Sequence, residues 1–156
     1  MTFKTEEYTW EDLLKNKVPR NEPGKVYGDW FDEGVRCLIL QGPSALCAYL
    51  GVPIDHPLAN KDYDDLPVSC HGGLTFAGKG DGKFRPEGFY WYGWDYSHSG
   101  DYSFYYDDPK MSLLGHSFEK KWLPRDVERD MWEAVWDFKK LMKLAENISS
   151  KTSLAP

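Results

Sequence analysis

Asp95, His98 and Asp101 form the pattern Asp-x-x-His-x-x-Asp, where an aromatic run ends in Ser97-His98-Ser99-Gly100-Asp101. Imidazole and carboxylate together support more than one chemistry. They are the usual ligands of zinc, manganese or iron, and a divalent metal with an unfilled position activates water. Without a metal, a His oriented by an Asp is a general base, a role that falls to His98 with Asp95 orienting it; or the group simply hydrogen-bonds a polar ligand. His71 stands at a second junction, His71-Gly72-Gly73, whose glycines let backbone approach a ligand closely. With segments 67–76 and 89–95 as hairpin partners, His71, Asp95, His98 and Asp101 share one pocket, with Gly72 and Gly73 in its wall. The competing reading is structural: His-Gly-Gly makes a sharp turn, and Asp at a strand end caps backbone N–H groups.

Other chemistry-bearing residues are less tightly grouped. His56, in Asp55-His56-Pro57, lies in a long polar stretch and reads as a surface turn within reach of the same pocket; His116 has no neighbour that argues for a role. Tyr90, Trp91, Tyr92 and Trp94 present planar rings for stacking on a base or nucleoside, although strand alternation commits one set to the core. H-x-x-x-H, P-loop, G-x-S-x-G and G-x-G-x-x-G patterns do not occur, which removes the common zincin, nucleotide triphosphatase, serine hydrolase and Rossmann readings.

The elements that must position these residues follow from pattern. Thr9 before Trp10-Glu11-Asp12 is an N-cap for a short helix that Pro19 and Pro23-Gly24 end. Val35 to Leu40 and Ala45 to Leu50 read as an antiparallel pair across Gly42-Pro43-Ser44. Gly51 to Leu66 is a long surface loop, and segments 67–76 and 89–95 are two further strands joined by a mobile Gly-rich loop. Residues 95–122 read as irregular, with an acidic run at Tyr105 to Pro109. Pro124 opens a long helix on which Val127, Met131, Ala134, Val135, Phe138, Leu141, Met142 and Ala145 form one apolar stripe, widened by Trp132 and Trp136. The stripe packs across the sheet, with a partner-binding face as the sharper alternative. The expectation is an α+β fold: an antiparallel sheet of roughly four to six strands packed against a long C-terminal helix. One domain spans 1–148, and 149–156 form a flexible tail.

Composition narrows the function classes. The chain has 156 residues, 41% hydrophobic and 16% aromatic, enough to bury one core without disulfides or metals. Its net charge of -6 opposes a phosphate backbone, so nucleic acid is not the expected partner, and the basic pairs at Lys120-Lys121 and Lys139-Lys140 read as solvated helix faces. MTFKTEEYTW lacks the basic start and apolar core of a signal peptide, and no apolar run reaches the roughly 20 residues a membrane helix needs, so the expected location is the cytosol. Cys37, Cys47 and Cys70 form no C-x-x-C pair and read as buried free thiols.

Gly51-Val52-Pro53 with His56-Pro57, Tyr63-Asp64-Asp65, His71-Gly72-Gly73-Leu74-Thr75-Phe76 and Gly93-Trp94-Asp95-Tyr96-Ser97-His98-Ser99-Gly100-Asp101 follow one another in an order that resembles an uncharacterised family of small proteins encoded by bacteriophages and prophages. The resemblance covers residues 35–101 and the C-terminal helix. Trp94 and Tyr96 stand where Phe and Cys are usual in that family, and the N-terminal segment is longer. The resemblance implies an accessory protein in an infected bacterial cytosol and brings no established activity. The leading expectation is a domain that binds a small polar or nucleotide-like ligand, with or without a divalent metal, through His71, Asp95, His98 and Asp101, and that serves to blunt a host defence. Two alternatives stay open: a metal-dependent or acid/base hydrolase on the same residues, and a module that binds a host protein through an acidic, aromatic surface including Asp107 and Asp108.

Overall fold

In the computed structural model, residues 2–15, 24–104 and 119–154 are described. The acidic run 105–109, His116 and the prolines at 19 and 23 lie outside them. Helix α1 spans Trp10–Lys15, and strands β1 to β5 span Val26–Asp32, Val35–Gln41, Leu46–Pro53, Phe76–Lys79 and Phe89–Asp95. Helices α2, Pro124–Asp130, and α3, Trp132–Leu154, follow. The strands form one antiparallel sheet in the order β1-β2-β3-β5-β4, so the fold is α+β, with the C-terminal helix against the sheet.

Local chemistry accounts for most boundaries. The Thr9 hydroxyl accepts from the Asp12 N–H at 3.1 Å while the Asp12 carboxylate accepts from the Thr9 N–H at 2.9 Å, a reciprocal cap that starts α1. The Asp126 carboxylate accepts from the Leu123 N–H at 3.0 Å, and Pro124 opens α2. A two-residue turn, Glu33-Gly34, with φ of 48° and 91°, closes β1 on β2 as the right-handed twist of a hairpin requires.

Both faces of the sheet are covered, which explains why Cys37 to Leu40 of β2 read as an unbroken apolar run. Val35, Cys37 and Ile39 point to the helix side with Tyr92, Trp94, Met131, Ala134, Phe138 and Met142. Leu38 and Leu40 point the other way and pack with Trp91. The loop 80–88 lies against this second face: three successive N–H groups, from Lys83 to Arg85, converge on one Asp81 oxygen, and the Trp91 indole donates to the Pro86 carbonyl at 3.0 Å.

Several expectations change. Segment 67–75 is not a strand; Gly72 and Gly73 sit at φ of 72° and 81°, outside the extended region, and only Phe76–Lys79 pairs with β5. Gly51 to Pro53 belong to β3 rather than to the loop, and the loop is pinned by the Tyr92 hydroxyl donating to the Leu58 carbonyl at 2.6 Å. Strand β1 was not expected at all; its Gly28 and buried Asp29 break the apolar pattern, and Asp29 is neutralised by Arg36 in a fork of 2.8 and 2.7 Å. Trp132 and Trp136 do not widen the buried stripe but lie on the solvent side of α3, and the helix continues past Ile148 to Leu154. Trp91, Tyr92 and Trp94 are all buried, leaving only Tyr90 of that run partly open.

Candidate functional site

Strand β5 ends at Asp95, and the chain continues the pairing for one more residue, as the Tyr96 N–H donates to the Leu46 carbonyl at 3.0 Å. It then turns through 97–100 and runs beside residue 120, where the Lys120 N–H donates to the Gly100 carbonyl at 2.8 Å and the Tyr102 N–H to the Lys120 carbonyl at 2.9 Å. That register delivers Trp122 to the buried Asp101. Asp101 accepts from the Trp122 indole at 2.9 Å on one oxygen, and from His71 Nε2 at 2.6 Å and the His98 N–H at 3.0 Å on the other. The aspartate therefore caps backbone and holds a ring at once.

His71 is packed on several sides. Its ring stacks on Tyr96 at 4.8 Å and an interplanar angle of 10°, and Trp122 and His98 lie 5.0 and 5.5 Å away between centroids. Tyr96 is itself anchored: its hydroxyl donates to Asp130 at 2.7 Å and accepts from the Trp94 indole at 3.0 Å. Burial, together with the bond to Asp130, pushes the Tyr96 phenol far above its ordinary range, so it stays neutral. Because a carboxylate only accepts, His71 carries its proton on Nε2 toward Asp101, and Nδ1 keeps a lone pair when the ring is neutral. Nδ1 has no hydrogen-bond partner among the described residues.

His98 is held differently. A Cβ placed on Gly72 would stand 2.2 Å from its Nε2, so the imidazole rests directly on the glycine backbone. That close approach is what His71-Gly72-Gly73 provides. His98 Nε2 is buried without a hydrogen bond among the described residues and lies 3.5 Å from Asp95, whose same oxygen accepts from the Ser97 N–H at 3.1 Å.

The four sequence-selected residues thus meet, but with different partners: His71 pairs with Asp101, thirty positions away, while Asp95 and His98 make only a long ion-pair contact. His71 opens onto one cleft and Asp95 and His98 onto another, while buried Asp101 lines neither. One of about 590 Å³ is bordered by Ser69, Cys70, His71, Arg129, Trp132 and Glu133. The other, about 440 Å³, is bordered by Ser44, Cys47, Asp95, Ser97 and His98, with the Ser44 and Ser97 hydroxyls 3.1 Å apart. Among the described residues no group of three or more His, Cys, Asp or Glu side chains is arranged to hold a metal ion. Gly72 belongs to the site through His98, whereas the space beside a Cβ on Gly73 is open.

His56 lies elsewhere. Its Nδ1 accepts from the Leu58 N–H at 3.0 Å and its Nε2 is 3.3 Å from Glu146, beside α3. Burial pushes the Cys70 thiol up to about 12, with the Asp130 charge adding to it, and the Cys47 thiol up to about 11, with Asp95 adding, so neither cleft holds a ready thiolate at neutral pH. Sequence reasoning missed Trp122, Arg129 and Asp130; only the tertiary fold brings them near His71. Tyr96 was visible in the run after Asp95, but nothing in its neighbours announces the stack.

Compared with known proteins, the chain matches no family model, no curated protein and no solved structure. Among the described residues no helix is long and apolar enough to cross a membrane.

Proposed function

We propose that this chain binds a small polar or nucleotide-like ligand in the cleft beside His71. The observation that carries the reading is the 2.6 Å bond from His71 to buried Asp101, which fixes the ring and leaves Nδ1 as an acceptor without a partner among the described residues. Trp132 offers a planar surface at the same cleft and Arg129 a cation, both suited to a ring bearing an anionic or carbonyl group. The resemblance to phage-encoded proteins supports a setting in an infected bacterium as an accessory factor; that its ligand binding blunts a host defence is part of the proposal.

The test is thermal shift followed by calorimetry against a panel of nucleosides, nucleotides and small polar amides. One class raises the melting temperature of the wild type and not of folded His71→Gln. Equal binding by His71→Gln, or no binder in the panel, refutes the proposal. The same bond favours one second reading, an acid/base hydrolase with His71 as base and Asp101 as its orienting carboxylate. Turnover of a bound panel member, lost in His71→Gln and in Asp101→Asn, distinguishes it from simple binding.

A further inference from the structure

The cleft beside His71 carries polar groups that have no partner among the described residues. It lies between segment 69–71 and the junction of α2 with α3, and the Ser69 N–H, donating to Asp137 at 2.9 Å, ties that segment to α3. Helical bonds reach Met131 from both sides of the junction: its N–H donates to the Val127 carbonyl and its carbonyl accepts from the Val135 N–H, each at 2.9 Å. Arg129 and Glu133 therefore stand one turn apart, about 5–6 Å between Cβ atoms, with Trp132 in the same turn. Both charged side chains are exposed, and neither has an ion pair or a hydrogen bond among the described residues. The Trp132 indole, 66% exposed, lies against Trp136 on one side at 11° and keeps its other side open.

We infer that the ligand of this cleft is a guanine-type nucleoside: a purine with a carbonyl on one edge, neighbouring N–H and amino donors on the next, and a sugar without phosphate. The inference rests on the reading of the His71 cleft as a ligand site and names the ligand's class. A purine plane matches the open side of Trp132. The Arg129 fork offers paired donors, which suit the carbonyl oxygen and ring nitrogen on one edge of guanine. The Glu133 carboxylate offers paired acceptors, which suit the ring N–H and amino group on the next edge. Adenine reverses both matches, setting an amino donor toward the guanidinium and a bare ring nitrogen toward the carboxylate. His71 Nδ1, an acceptor, takes a hydrogen bond from a sugar hydroxyl. The surrounding charge argues against phosphate: of the charged residues that border the cleft, one cation, Arg129, faces two carboxylates, Asp130 and Glu133.

Calorimetry of the full chain against guanosine, inosine, adenosine and guanosine monophosphate tests it. Guanosine binds about tenfold or more tighter than adenosine, and about tenfold tighter than inosine, which lacks the amino group. The monophosphate binds no tighter than guanosine. Glu133→Ala removes most of the preference over inosine, Arg129→Met weakens guanosine and inosine alike by about tenfold, and Trp132→Leu weakens every base by about tenfold. All three residues are exposed, so circular dichroism is unchanged. Guanosine no tighter than adenosine overturns the inference, as does a preference indifferent to Glu133→Ala or a monophosphate that binds tighter. If a different small polar compound binds through His71 instead, this inference falls and the ligand site stands; if nothing binds, both fall.

Discussion

Two adjacent glycines, both in the left-handed region but in different surroundings, separate backbone strain from the packing that holds His98. At Gly73, with φ of 81° and open space beside its Cβ position, alanine adds only the left-handed penalty. That penalty is about 1–2 kcal/mol, partly offset by about 0.4–1 kcal/mol from the stiffer unfolded chain. Gly73→Ala should therefore cost about 1 kcal/mol, or roughly 2–4 °C in melting temperature for a domain of this size. At Gly72, φ is 72° and the added methyl stands 2.2 Å from His98 Nε2. The ring must swing away, adding about 1–3 kcal/mol of the overpacking kind. Gly72→Ala should cost about 2–4 kcal/mol, or roughly 4–16 °C, and shift the His98 ring resonances. Chemical denaturation of Gly72→Ala, His98→Ala and the double variant closes a cycle, in which His98→Ala should return the cost of Gly72→Ala to that of Gly73→Ala. A coupling energy within about 0.3 kcal/mol of zero would mean that His98 does not rest on Gly72, and the account of the His-Gly-Gly turn would be wrong.

Asp101→Ala removes the shared acceptor of His71, His98 N–H and Trp122, and should destabilise the fold by about 2–4 kcal/mol, with Asp101→Asn losing less. Nitrogen NMR of the wild type should show the His71 proton on Nε2, and a change of under about 0.5 kcal/mol in Asp101→Ala would contradict the network. Alkali should unfold the chain: burial pushes Tyr27, Tyr92, Cys37 and Cys70 up to about 12, against about 10 for phenols and 8.5 for thiols in the unfolded state. Since the unfolded chain sheds these protons first, the stability they confer is intact below about pH 8.5 and falls between there and pH 12, by about 1.4 kcal/mol per pH unit for each group ionised only when unfolded. Stability followed by urea titration should decline over that window while tyrosinate absorbance rises with unfolding; a flat profile would refute it.

How much was legible depended on whether the decisive contact was local. The spacing of Ala134, Phe138 and Met142 fixes the buried face of α3 by itself, with Val127 and Met131 carrying the same stripe back into α2, because 3.6-residue periodicity is a property of the segment. Trp132 and Trp136 deceived because hydrophobicity marks a residue for burial without saying against what; by angle they belong to the face opposite Phe138. Strand β1 escaped because Asp29 reads as polar until Arg36 is seen beside it. At the site, the residue types and the two chain segments were readable, since His71, His98 and Asp101 do converge. The pairing was not: proximity in sequence favoured Asp95 with His98, whereas the short bond joins His71 to Asp101 through a fold-dependent approach.

The borders of the sheet bear on how the protein behaves at high concentration. At one border, Phe3 exchanges backbone hydrogen bonds with Asp29, so the N-terminal segment occupies part of the free side of β1. At the other, β4 is only four residues long and ends in Lys79. Short, charged or occupied margins offer poor templates for strand addition. Copies of this chain are thus steered away from growing into ribbons, and crowding them together leaves side-chain surfaces, rather than open backbone, as the means of meeting.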